Sequence, residues 1–168
     1  HLFLDDGGEL VMTNARRLGR IRLRQDPERE APISRLGFDP LLDPPTPGRF
    51  ADALAARKAP VKAILLDQAF AAGVGNWIAD EVLYQSKVDP RRRGIDLTGV
   101  EARRIRLKLI AIVKRAVEVD ADKRHFPRTW LFHHRWGKNG DARTARGESI
   151  DFDTVGGRTT AWVPSVQI

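Results

Sequence analysis

The 168-residue sequence holds no cysteine. Disulfides, cysteine-ligated zinc, iron–sulfur clusters and a thiol nucleophile are therefore all excluded. No apolar run approaches the ~20 residues that a bilayer span requires, and no signal-peptide pattern opens the chain. The reading is of a soluble, intracellular protein with no membrane contact. Acid is in deficit: 22 Asp+Glu stand against 29 Lys+Arg, a net charge of +7. An excess of base suggests a polyanionic partner, although bulk charge speaks to association and not to fold. No internal repeat or low-complexity tract is evident. With 42% hydrophobic and 30% charged residues the composition is globular. A chain of this length buries roughly two thirds of its unfolded surface, so one domain or two small lobes can stand without staples.

The opening stretch Leu2-Phe3-Leu4-Asp5-Asp6-Gly7-Gly8-Glu9-Leu10-Val11-Met12 reads as two strands around an Asp-Gly-Gly turn. A lone hairpin is marginal in water, so it is expected to belong to a larger sheet, and with His1 at the first position the chain is expected to be N-terminally truncated. Strand character continues through residues 1–24, ending in the alternation of Ile21-Arg22-Leu23. Residues 25–47 are rich in Pro, Asp and Glu and read as a linker. Residues 48–124 read as a helical domain. Phe50, Ala53, Leu54 and Arg57 share one helix face before Pro60; Val61, Ile64, Leu65 and Gln68 share the face of a second, short helix. After a glycine break a third helix runs over residues 77–87. A fourth starts at Thr98-Gly99-Val100-Glu101, which has capping-box spacing, and carries the apolar stripe Ile105, Leu109, Ile112, Val113 and Ala116. Residues 125–168 turn to short strands, expected at 130–135, 150–152 and 159–163 around Gly156-Gly157. The fold class is α+β: a partial N-terminal sheet, a helical bundle and a C-terminal β-hairpin unit.

Chemistry concentrates in the glycine break. Gly73 and Gly75, two apart between helices, let the backbone turn sharply and approach another group closely, while the next helix offers free N–H groups and a positive dipole end. Asn76 can cap that helix and donate its side-chain amide to a phosphate oxygen. From Gly-x-Gly-Asn alone, an ordinary turn between packed helices accounts for the same residues.

The longer string decides between them. Leu65-Leu66-Asp67-Gln68-Ala69-Phe70-Ala71-Ala72-Gly73-Val74-Gly75-Asn76-Trp77-Ile78-Ala79-Asp80-Glu81 resembles the helix–two-turns–helix element of the formamidopyrimidine-DNA glycosylase and endonuclease VIII family. Val88-Asp89-Pro90 continues the pattern; Asn14-Ala15-Arg16-Arg17-Leu18-Gly19 resembles the family's Asp-Pro-Arg-Arg-Phe-Gly loop, and Gly157-Arg158-Thr159-Thr160-Ala161-Trp162-Val163-Pro164 its terminal hairpin. Phe126-Pro127-Arg128-Thr129-Trp130-Leu131-Phe132-His133-His134-Arg135-Trp136-Gly137-Lys138 is similar to the plant and fungal branch, whose zincless finger keeps the hairpin without metal. Trp130, Phe132, Trp136 and Trp162 are expected to supply the packing instead. His133 and His134, read as adjacent strand residues, face opposite sides, so neither a metal nor a cofactor is expected.

The resemblance implies DNA base-excision repair by a monomeric glycosylase and AP lyase, nuclear if the cell is eukaryotic. It would remove oxidised purines and formamidopyrimidines from double-stranded damaged DNA by β,δ-elimination through a covalent imine. The family's N-terminal proline nucleophile, glutamate acid and hairpin lysine do not occur in this sequence, which leaves a non-catalytic damaged-DNA module as the alternative. The resemblance also implies that Arg16 and Leu18 form the wedge that replaces an extruded nucleotide. By the same resemblance Lys62 falls on a family lysine that assists DNA binding, and Arg158 is expected to contact phosphate near the extruded nucleotide alongside Asn76. Arg91-Arg92-Arg93 reads equally as a phosphate contact or as solvated charge.

Overall fold

The computed structural model describes residues 1–15, 19–137 and 140–168. The chain divides into two compact units, His1–Ser34 and Arg35–Ile168. In the first, β1 (Leu2–Phe3) pairs antiparallel with β2 (Glu9–Leu10). The turn between them forms where Asp-Gly-Gly places it: Gly7 has φ +83°, and the Leu4 amide donates to the Gly8 carbonyl at 2.8 Å. Residues 21–23, expected as a strand, form none; Leu23 is 95% exposed and has no ladder partner among the described residues. Alternation alone cannot make a strand, because an extended segment needs a neighbour to take its backbone hydrogen bonds.

The second unit begins at Arg35, inside the stretch whose prolines suggested a linker. Phe38 accounts for this. Its ring packs edge-on against Phe50 and Phe70, and its backbone bridges to Ala71. Gly37 makes the approach possible, since a Cβ there would sit 2.3 Å from the Phe70 carbonyl oxygen.

Four α-helices follow among the described residues. Thr46 caps α1 (Pro47–Ala55), accepting from the Arg49 amide, with Pro at the first helical position and Phe50 and Leu54 buried. The next, α2 (Val61–Leu66), buries Val61, Ile64 and Leu65 and stops at Leu66, so Gln68 lies in the following turn and not on its face. Then come α3 (Asn76–Ser86) and α4 (Gly99–Glu118). The capping box at the head of α4 is complete: the Glu101 amide donates to Thr98 Oγ1, and the Thr98 amide donates to Glu101 Oε2 at 2.8 Å. From that fixed start the helical repeat turns Ile105, Leu109, Ile112 and Ala116 onto one buried stripe, with Val113 half-buried beside it. The stripe packs on α1 and α3, and each large side chain so buried contributes roughly 1.5 to 3 kcal/mol.

The C-terminal hairpin pairs β3 (Asp151–Val155) with β4 (Arg158–Trp162) antiparallel, Val155 opposite Arg158. Gly156 and Gly157 span the turn with φ of +61° and +71°, values that an L side chain resists. Residues 130–135 are not a strand. Leu131–His133 is a 3-10 turn, which places Phe126, Trp130 and Phe132 around Trp77 of α3 with ring centroids 5.0 to 6.4 Å apart. Burial of these rings against α3 outweighs the strand preference of aromatic residues. Trp162 stands apart from that cluster, under the guanidinium of Arg91 at 4.1 Å, and Trp136 is 62% exposed.

Candidate nucleic-acid interface

The turn between α2 and α3 is organised by Gln68. Its Oε1 accepts the Gly73 amide at 2.9 Å, and its Nε2 donates to the Leu66 and Val74 carbonyls. Gly73 has φ +77°, where only glycine is relaxed. Gly75 differs: its φ of −99° and ψ of 177° suit any residue. A Cβ at Gly73 or Gly75 would meet nothing within 4 Å, so packing inside the protein does not require the missing side chains. Their absence leaves clear the surface in front of the helix start.

Gly75, not Asn76, is the N-cap of α3, and no side chain caps it. Asn76 is the first helical residue, and its Nδ2 donates to the Thr159 carbonyl at 2.8 Å, 83 residues away. The cap expected of Asn76 is thus corrected: strand β4 lies close enough to take the amide. The first N–H groups of α3 are left at the positive end of the helix without an internal partner among the described residues. Arg158, which opens β4 after the Gly-Gly turn, is exposed and forms no ion pair among the described residues. Asn76 and Arg158, far apart in sequence, therefore lie within one residue of a shared hydrogen bond.

Lys62 requires correction. Expected to assist DNA binding, it is wholly buried. Its Nζ lies 2.6 Å from Asp80 Oδ1 and donates to Thr160 Oγ1 at 2.7 Å and to the Thr159 carbonyl at 3.0 Å. Burial pushes its pKa below the ordinary lysine value, and the neighbouring Asp80 opposes that shift. Lys62 joins α2 to the hairpin and to α3. Arg16 and Leu18 lie outside the described residues.

Three residues that sequence reasoning passed over complete the junction. Asp80, on α3 one turn beyond Asn76, receives Arg135 Nη2 at 2.5 Å and the Ala161 amide at 3.1 Å on Oδ2. Glu81 accepts Gln85 Nε2 and the Phe132 amide, each at 2.8 Å. One carboxylate holds β4, the next holds the aromatic turn. The signal was present as two adjacent acids on a helix otherwise packed on both sides. Burial raises the Glu81 pKa to about 7. Because the folded value exceeds the unfolded one near 4.5, the folded state holds the extra proton, and this stabilisation is lost as pH rises from about 4.5 to 7. Glu81→Gln, which cannot ionise, is expected to gain about 2 to 3 kcal/mol on the native chain between pH 5 and pH 8. Urea midpoints at both pH values check this; a constant difference contradicts it.

The run at residues 91–93 is engaged internally. Arg91 pairs with Asp89 at 2.6 Å, Arg92 with Glu101, and Arg93 with Asp96 at 2.6 Å. His133 and His134 sit in and beside the 3-10 turn, not on a strand, each with Nε2 at 3.3 Å from a backbone carbonyl. Among the described residues no three His, Asp or Glu side chains gather as metal ligands, and no helix is long and apolar enough to cross a membrane.

Residues 36–127, more than half of the chain, match the model of the formamidopyrimidine-DNA glycosylase H2TH domain. The chain belongs to the formamidopyrimidine-DNA glycosylase family. Residues 130–164 match the C-terminal domain of formamidopyrimidine-DNA glycosylase-like proteins. The Arabidopsis thaliana formamidopyrimidine-DNA glycosylase is 46% identical over 164 residues, 98% of this chain and 42% of that protein. A Thermus thermophilus formamidopyrimidine-DNA glycosylase is 34% identical over 174 residues, 96% of this chain and 65% of that protein. The chain thus spans less than two thirds of the length of these family members. The crystal structure of the Thermus thermophilus MutM (Fpg) protein superposes with a TM-score of 0.70 at 33% identity, over 86% of this chain and 59% of that one. The Lactococcus lactis Fpg, solved in complex with abasic-site DNA, gives 0.66 at 25% identity over 79% and 52%. The α+β arrangement of helical bundle and hairpin is that of the family.

Proposed function

We propose that this chain is the DNA-gripping part of a base-excision glycosylase and AP lyase acting on oxidised purines and formamidopyrimidines in double-stranded DNA. The observation that carries the reading is the Asn76–Thr159 hydrogen bond, which holds the uncapped start of α3 against strand β4 one residue from the exposed Arg158. A helix start favours phosphate oxygens, and arginine offers two parallel donors that match them. Together they suit a sugar-phosphate backbone kinked around a lesion. Gly73 and Gly75 give that backbone clearance.

Within this reading residues 1–24 belong to a β-sandwich domain, residues 25–47 lead from it into the helical unit, whose core already takes up Phe38, residues 48–124 are the helix–two-turns–helix domain and residues 125–168 the zincless finger. The exposure of Phe3 (75%) suits a strand pair made to be covered by more sheet. Arg16 and Leu18 supply the wedge. The imine-forming amine is not Lys62, whose ammonium is held in a buried ion pair and cannot reach a sugar carbon. The protein acts as a monomer, in the nucleus if the cell is eukaryotic.

The test is binding to duplex DNA carrying a stable abasic-site analogue, a mimic of the lesion on which the Lactococcus relative was solved. The logarithm of affinity is expected to fall linearly with the logarithm of salt concentration, by about 0.9 per phosphate neutralised. Borohydride is expected to trap no adduct with this chain on abasic DNA. Salt-independent binding, or none, overturns the reading.

A further inference from the structure

We propose that Arg135 is a positioning residue for Arg158: through the carboxylate of Asp80 it fixes where the hairpin sits on α3. The inference rests on the phosphate-binding role given to Arg158 above. Asp80 Oδ2 is shared. It takes Arg135 Nη2 at 2.5 Å and the amide of Ala161 at 3.1 Å, and Ala161 lies on β4 three residues beyond Arg158. The other oxygen, Oδ1, faces Lys62, whose Nζ also donates to Thr159 and Thr160. Asp80 therefore ties α2, α3, the turn after Leu131–His133 and β4 at a single point. In a chain without cysteine that point does what a covalent or metal staple does elsewhere.

Charge balance does not explain Arg135. Asp80 already has Lys62, so Arg135 adds a second buried cation to one carboxylate. Stability is a poor explanation too, because the Arg135 Nε is buried without a hydrogen-bond partner among the described residues. What Arg135 does supply is direction. By holding Oδ2 it stops the carboxylate from swinging fully toward Lys62, and so keeps an acceptor aimed at the Ala161 amide. Without Arg135 the Lys62–Asp80 pair stays neutral, so the fold survives while the Ala161 tie of β4 to α3 is lost.

A double-mutant cycle on the abasic-analogue duplex tests this. In the native chain Arg158→Ala is expected to weaken binding about tenfold or more. In the Arg135→Met chain, itself several-fold weaker, the same change should cost less than about twofold, because the guanidinium is no longer held on the phosphate. Equal losses in both backgrounds overturn the proposal. Should Arg135→Met not fold, Arg135→Lys takes its place in the cycle with the same two outcomes. If Arg158→Ala costs nothing in the native chain, the phosphate reading fails, and the tie is then judged separately by hydrogen exchange. The Ala161 amide should exchange faster in Arg135→Met while Leu109 in α4 is unchanged; an unchanged Ala161 amide refutes the tie.

Discussion

Asp80→Ala is expected to destabilise the helical unit by about 3 to 5 kcal/mol. The reason is the environment of the two cations it faces: Lys62 is wholly buried and the Arg135 side chain is 6% exposed, so removing the carboxylate takes away the ion pair that both share. The Ala161 amide also loses its acceptor and is buried unsatisfied. Burying an ion pair brings little net gain over a well-packed apolar core, yet breaking one by removing the shared carboxylate is among the most damaging single changes. Asp80→Asn keeps the shape and one acceptor and should fall in between. Urea denaturation of residues 35–168 in the full chain reads both; a change below about 1 kcal/mol for Asp80→Ala contradicts the ion-pair account.

The second large effect concerns binding. Arg158→Ala should weaken affinity for abasic-analogue duplex by about 10- to 100-fold and lower the steepness of its salt dependence by about one phosphate, with no change in urea midpoint. The arginine is exposed and free of ion pairs among the described residues, so the folded chain gains nothing from it. Arg93→Ala is the comparison: its guanidinium is already committed to Asp96 through two hydrogen bonds, and its loss should leave affinity nearly unchanged. Two cationic residues are thereby separated by what they are bonded to and not by their charge.

Much of this was legible in the sequence, for local reasons. The capping box and stripe specify α4 because both depend on spacing within one helix. The Gly156-Gly157 turn specifies the hairpin because positive φ is a property of those two residues. Residues 130–135 look like a strand in the sequence because alternating aromatics suit an exposed strand and a packed 3-10 turn equally, and the position of Trp77 decides. The Pro, Asp and Glu content of residues 25–47 suggests a linker, whereas Phe38 ties the later part of that stretch to the core through partners no local pattern reveals. Lys62, Asp80 and Arg135 look like solvated charges in the sequence. Lys62 and Asp80 sit on different helices and Arg135 lies 55 residues beyond Asp80, and a string of letters does not show which charges will be buried together.

The central claim is that the start of α3 and the tip of the hairpin form one surface for a single stretch of sugar-phosphate. Nuclear magnetic resonance of the labelled chain, titrated with abasic-analogue duplex, addresses it directly. The backbone amides of Gly73, Gly75 and Asn76 and the side-chain Nε of Arg158 should shift together, at one midpoint, while the Leu109 amide stays still. Binding of the duplex with the glycine amides and the arginine unmoved, or moved at different midpoints, would contradict the account.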